Sequence, residues 1–113
     1  MNITKDLVAA SATPLVLSIL AEGESYGYAI IKRVRELSND EMQWTDGMLY
    51  PVLHRLEKQK MIEARWGVSD TGRKRKYYHI KQEGAKALEA QQAQWQTVYA
   101  TLTQLWEKTP CLM

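Results

Sequence analysis

Two groups of side chains in this sequence have types and spacing suited to chemistry. Tyr50, His54, Arg55 and Lys58 fall on one side of residues 45–60 when that stretch is wound at about 100° per residue. Arg73, Lys74, Arg75 and Lys76 follow one another without a break. Arg, Lys and His donate hydrogen bonds to phosphates and to guanine edges, and Tyr offers a hydroxyl. This is the donor set that a helix in a DNA major groove requires. Thr45 can cap the start of such a helix, and Gly47 leaves its backbone open to close approach by a phosphate. Pro51 has no N–H, so the helix is expected to begin near Met48, which would leave the proline in the first turn.

Leu49, Val52, Leu53 and Leu56 gather on the opposite side and are the expected core face. Taken alone, a helix of this kind is most often amphipathic with a solvated outer face. A basic quartet alone, though DNA contact is its favoured reading, can be only a solubilising tip. The functional reading comes from finding both in one small unit.

The rest of the composition excludes several classes. The 113 residues make one domain. A formal net charge of +2 identifies no partner by itself, and the clustering of the cations matters more than their sum. The lone Cys111 rules out an internal disulfide framework and a cysteine-rich zinc site; it is expected to be an inert thiol. No Gly-rich phosphate loop, activated nucleophile or His/carboxylate cluster at metal spacing is present, so no enzyme, metal or cofactor is expected. Residues 7–21 are too short and polar to span a membrane, and their small residues precede the apolar Leu15-Val16-Leu17, the reverse of a signal peptide. The expected location is cytoplasmic, with no membrane partner.

These groups must be positioned by the following elements. Residues 3–21 read as a helix, kinked where Thr13-Pro14 resembles a cap followed by a first-turn proline. Ser25 can cap a second helix reaching Leu37, with Tyr26, Ile30, Val34 and Leu37 on its apolar stripe. Residues 41–44 alternate polar and apolar and predict a brief strand. Residues 61–68 and 76–80 predict a hairpin that turns at residues 69–72, with the basic quartet just past its tip. Alternation should send one of Tyr77 and Tyr78 inward and the other outward. Trp44 and Trp66 are expected in core or hairpin packing, and His79 in a structural role.

Residues 82–108 contain no proline and one glycine. Ala85, Leu88, Gln92, Trp95, Tyr99, Leu102 and Trp106 recur at alternating steps of three and four, a heptad stripe that Val98 and Leu105 widen. A face this apolar needs a partner, most economically a second copy of the same helix. Thr109-Pro110 should end it. The expected organisation is residues 1–81 as a winged helix-turn-helix, 82–108 as a dimerisation helix and 109–113 as a tail. The fold class is mainly α with a small β-hairpin.

The strings Gly47-Met48-Leu49-Tyr50-Pro51-Val52-Leu53-His54-Arg55-Leu56-Glu57, Met61-Ile62-Glu63-Ala64, Arg73-Lys74-Arg75-Lys76-Tyr77-Tyr78 and Glu83-Gly84, together with Tyr26-Gly27-Tyr28, resemble the PadR family of transcriptional regulators over nearly the whole chain. The single C-terminal helix is similar to the smaller subfamily, in its LmrR-like branch. The resemblance implies a homodimeric repressor on a pseudo-palindromic double-stranded DNA operator. It implies groove contacts from Tyr50, His54 and Lys58 and wing contacts from Arg73 and Lys74. Thr45, Arg55 and Arg75 complete the candidate DNA-binding set. It also implies a dimer-centre cavity in which Trp95, with Leu7, Pro14, Gln91 and Tyr99 as neighbours, stacks a planar aromatic or cationic effector. Leu88, Gln92, Val98, Leu102 and Trp106 are the expected dimer seam.

Two positions depart from the family pattern: Lys81 stands where Thr is usual, and Tyr99 is bulky for a cavity wall. A winged helix used for protein contacts, and a regulator without a small-molecule effector, remain the alternatives.

Overall fold

The computed structural model describes residues 1–108; the expected tail at 109–113, with Cys111 and the helix stop at Thr109-Pro110, lies outside them. Helix α1 spans Lys5–Glu22, strand β1 Ser25–Tyr26, helix α2 Gly27–Leu37, helix α3 Asp46–Lys58, strand β2 Ile62–Val68, strand β3 Lys74–Ile80 and helix α4 Gln82–Lys108. The three strands form one antiparallel sheet in the order β1-β3-β2.

Helix α1 differs from expectation at its start. Thr4 is the cap, its hydroxyl accepting from the Leu7 amide at 3.3 Å, and Pro14 lies in the helix interior. The helix continues through the proline, with Val16, Leu17, Ile19 and Leu20 buried just beyond it. Burial of each such side chain contributes about 1.5–3 kcal/mol, which holds a segment that has lost one backbone hydrogen bond.

Two strand assignments are corrected. Ser25 does not cap a helix by its side chain; Ser25 and Tyr26 pair with Tyr78 and Tyr77. Tyr26 is extended, with φ −136° and ψ 166°, so it both closes the strand and occupies the cap position of α2. Residues 41–44 form no strand. The sheet has already filled both edges of β3, with β1 on one side and β2 on the other. The 38–44 segment is instead folded by the Ser38 hydroxyl, which accepts from the Met42 amide at 2.9 Å, and it delivers Trp44 to the core.

The core is Val16, Leu17 and Leu20 of α1, Ile30 and Val34 of α2, Leu49, Leu53 and Leu56 of α3, Ile62 of β2, Tyr78 of β3 and Leu88 of α4. The hairpin register sets Ile62 opposite Ile80, Ala64 opposite Tyr78 and Trp66 opposite Lys76. Tyr78 is buried and Tyr77 stays partly exposed, as strand alternation requires.

The sheet meets α4 through a close backbone approach. The Lys81 amide donates to the Met61 carbonyl and the Ala85 amide to the Lys81 carbonyl, both at 2.9 Å. A Cβ at Gly84 would land on that same Met61 carbonyl, so only glycine fits there. The junction lacking the usual threonine is thus tied by backbone bonds. Beyond Leu88, the 27-residue α4 carries an exposed row of Trp95, Val98, Tyr99, Leu102, Leu105 and Trp106. Leu88 is corrected: at 7% exposure it belongs to the core of its own chain.

Candidate nucleic-acid interface

Helix α3 is positioned by its leucines. Leu49, Val52, Leu53 and Leu56 are buried, leaving Tyr50, Pro51, His54, Arg55 and Lys58 exposed. Thr45 caps as expected, its hydroxyl accepting from the Met48 amide at 3.3 Å. The start of the helix is corrected to Asp46, which makes Pro51 its sixth residue. The proline therefore removes the bond that the Gly47 carbonyl would have accepted. The leucine anchors on the other face hold the helix in spite of that loss.

The exposed residues of α3 are not equivalent. Among the described residues His54 and Lys58 have no side-chain partner. Arg55 turns toward α1, donating from Nη2 to the Thr13 hydroxyl at 2.6 Å. The Tyr50 hydroxyl rests on the first residue of α2: a Cβ at Gly27 would come within 2.5 Å of it. Gly27 is thus the seat for Tyr50, and α2 and α3 are held together at that point.

The basic quartet sits just past the hairpin tip, as expected, but β3 begins at Lys74 and not at Lys76, so Lys74, Arg75 and Lys76 lie inside the strand and alternate between its faces. The tip itself is residues 69–72, closed by the Ser69 amide donating to the Arg73 carbonyl at 2.9 Å, with Gly72 at φ 82°. The Arg75 guanidinium stacks over the Tyr26 ring at 3.9 Å. Lys76 Nζ lies 3.7 Å from Glu57 Oε1 on α3, bracing the hairpin against that helix. Arg73 and Lys74 have no side-chain partner among the described residues.

Two further residues on the hairpin are engaged. Arg65 lies over the Tyr77 ring at 5.0 Å, and its Nε donates to Glu24 at 2.8 Å. The Arg65 guanidinium hydrogen-bonds the Glu24 carboxylate and holds it below the usual range, and is itself raised by the same bond. His79 Nε2 lies 3.5 Å from the Glu63 carboxylate. Burial pushes the Tyr78 phenol up to about 12.

Tyr50 of α3, Gly27 and Tyr28 of α2, and Trp66, Arg73, Lys74, Arg75 and Lys76 of the hairpin line one open cleft of about 600 Å³. The expectation that Trp66 packs in the core or hairpin is corrected: the residue is 67% exposed, because β2 runs past the end of the core. In the sequence Lys76 is only the last of a basic run and Tyr28 only part of an aromatic-Gly-Tyr motif. No periodicity marks these residues, since the cleft joins three elements distant in the chain.

The expected effector residues are only partly gathered. Trp95 lines an open pocket of about 190 Å³ with Gln94 and Val98, and Leu7, Pro14, Gln91 and Tyr99 are not among its walls. Leu7 and Tyr99 are exposed, and the buried Gln91 Oε1 has no protein partner among the described residues. In the described residues no group of three His, Cys, Asp or Glu could hold a metal ion, and no helix is long and apolar enough to cross a membrane.

Three packed helices carrying a basic two-stranded wing define a winged helix-turn-helix protein. The chain belongs to the PadR-like family of transcriptional regulators, whose model matches residues 16–90. It is a transcription regulator of that family and not an enzyme.

The chain is similar to the structure of a PadR-like transcriptional regulator from Bacillus cereus, with a TM-score of 0.82 and 30% identity over 93% of this chain and 100% of that one. It is also similar to a PadR family transcription regulator from Clostridium difficile, with a TM-score of 0.76 and 32% identity over 85% of this chain and 98% of that one. A Lysinibacillus sphaericus protein described as uncharacterized protein X is 32% identical over 85% of this chain and 88% of its own length.

Proposed function

We propose that this chain is a homodimeric transcriptional repressor that binds a pseudo-palindromic double-stranded DNA operator. The observation that carries the reading is the cleft shared by Tyr50 of the groove-facing helix and the unpaired Arg73 and Lys74 of the wing. One element reads bases with His54 and Lys58 while the other clamps phosphate, with Thr45, Arg55 and Arg75 at the margins. Dimerisation is supported by the exposed stripe of Trp95, Val98, Leu102 and Trp106 on α4, with Gln92 in line. Such a face is covered in water by a matching one. The two-fold then presents the two α3 helices to half-sites about 34 Å apart.

The test is enrichment of duplexes from a random-sequence pool by the purified protein, followed by titration against salt. A selected sequence with two related half-sites, bound less tightly as salt rises, is expected. No enrichment, or a salt-independent affinity for the selected duplex, refutes the reading.

Release by a planar aromatic or cationic effector rests on Trp95, which is 38% exposed on the same stripe and faces its copy in the dimer proposed. Trp95→Ala should abolish saturable binding of such compounds while leaving the dimer intact, and unchanged binding would remove the effector from this position.

A further inference from the structure

The cleft between wing and helices has walls that phosphate clamping alone does not explain. Trp66 is 67% exposed and Tyr28 65% exposed, two of the largest apolar surfaces left uncovered outside α4. Both line the cleft that also holds Arg73 and Lys74. Trp66 shares its sheet face with Ile62, Ala64 and Tyr78, the core face of the hairpin. It extends that face beyond the helices, so the indole stands over the cleft with no chain of its own to cover it.

A bare anion would use the cations and leave the rings wet. A purely apolar ligand would do the reverse. A chain that alternates flat or apolar units with anionic ones, at nucleotide spacing, satisfies both walls together.

We infer that this cleft seats the sugar-phosphate backbone of one strand of the operator duplex, with Trp66 and Tyr28 packing on its deoxyriboses while Arg73 and Lys74 take the adjoining phosphates. The inference rests on the operator-binding reading and adds two uncharged contacts to it. Arg75, stacked on Tyr26, and Lys76, beside Glu57, are held by the protein and shape the wall. Charge complementarity selects the occupant: of the four cations that line this cleft, Arg73 and Lys74 have no side-chain partner among the described residues, and no carboxylate lines it. Contacts of this kind tolerate many sequences, because every nucleotide of the duplex carries the same deoxyribose. Trp66 and Tyr28 therefore add affinity without changing which operator is preferred.

The experiment uses the full chain and the selected duplex. Kd is measured over a range of salt for Trp66→Ala, Tyr28→Ala, Trp66→Phe and Tyr28→Phe, beside Arg73→Ala. The alanine variants should each bind severalfold more weakly, from the lost apolar contact, with an unchanged salt slope, since no charge is removed, and the phenylalanine variants should recover most of the loss. Thermal midpoints equal to that of the unmodified chain exclude a folding defect, as both side chains are exposed.

Alanine variants within twofold of the unmodified chain, while Arg73→Ala weakens binding, would overturn the cleft assignment and leave the repressor reading intact. A polyglutamate peptide that competed as well as duplex would overturn the choice of occupant. If the unmodified chain selected no duplex at all, the repressor reading and this inference would fall together.

Discussion

The cations of the hairpin are chemically alike in sequence but should not behave alike. Arg73 and Lys74 have no partner among the described side chains, whereas Arg65 is bound to Glu24, Arg75 is stacked at 3.9 Å on Tyr26 and Lys76 stands 3.7 Å from Glu57. Only a cation that can neutralise a phosphate releases counterions, and each such contact contributes about 0.9 to the slope of log affinity against log salt. Arg73→Ala and Lys74→Ala should therefore each reduce that slope by about 0.9, and the double variant by about 1.8. At about 0.15 M salt the same term is worth roughly fivefold in affinity per contact and roughly 30-fold for the pair.

Arg65→Ala should leave the slope nearly unchanged and alter acid stability instead. The folded-state value of Glu24 is depressed by Arg65. Its contribution is present above the ordinary carboxylate value of 4.5 and is lost as pH falls through the lowered folded value. Removing Arg65 should erase that part of the acid-unfolding curve. The assay is fluorescence anisotropy of the labelled operator at several salt concentrations, with acid unfolding followed on the free protein. If Arg65→Ala or Arg75→Ala lowered the slope as much as Lys74→Ala, sorting these cations by their protein partners would be refuted.

Three other outcomes follow from the packing. Gly84→Ala gains about 1 kcal/mol of helix propensity but drives a methyl into the Met61 carbonyl; overpacking at the upper end of about 1–3 kcal/mol should win and lower the urea midpoint. A midpoint at or above that of the unmodified chain would show that α4 can shift away from the sheet. Tyr78 favours the fold below its unfolded value of 10.0, and this contribution is lost as pH rises through about 12. Tyr78→Phe should thus unfold at higher pH than the unmodified chain, read by circular dichroism beside phenolate absorbance; equal alkaline midpoints would argue against it. Leu102→Glu places a charge on the proposed seam and should give monomers in sedimentation with little operator affinity. A dimer that survived the change would move the interface elsewhere.

Much of the architecture is encoded locally and was legible in the sequence. The division of α3 into a leucine face and a donor face, the opposite burial of Tyr77 and Tyr78, and the extent of α4 over residues 82–108 all follow from helical or strand periodicity. Such periodicities bury one face wherever the element is placed, so they survive without knowledge of its neighbours.

What the tertiary structure decided are matters of partner. Ser25 and Tyr26 are a strand because β3, some fifty residues later, offers a free edge; the alternation at 41–44 pairs with no strand. Leu88 fits the heptad stripe yet is enclosed by its own chain, as a member of the core shared by the helices and the hairpin. The basic quartet is continuous in sequence but divided by the pleat, with Tyr26 and Glu57 holding two of its members and leaving two unpaired. Trp66 counts as an ordinary hairpin residue until the core is seen to end before it. A side chain's type and its spacing are properties of the chain, whereas its freedom to meet a ligand depends on which distant residues have already claimed it.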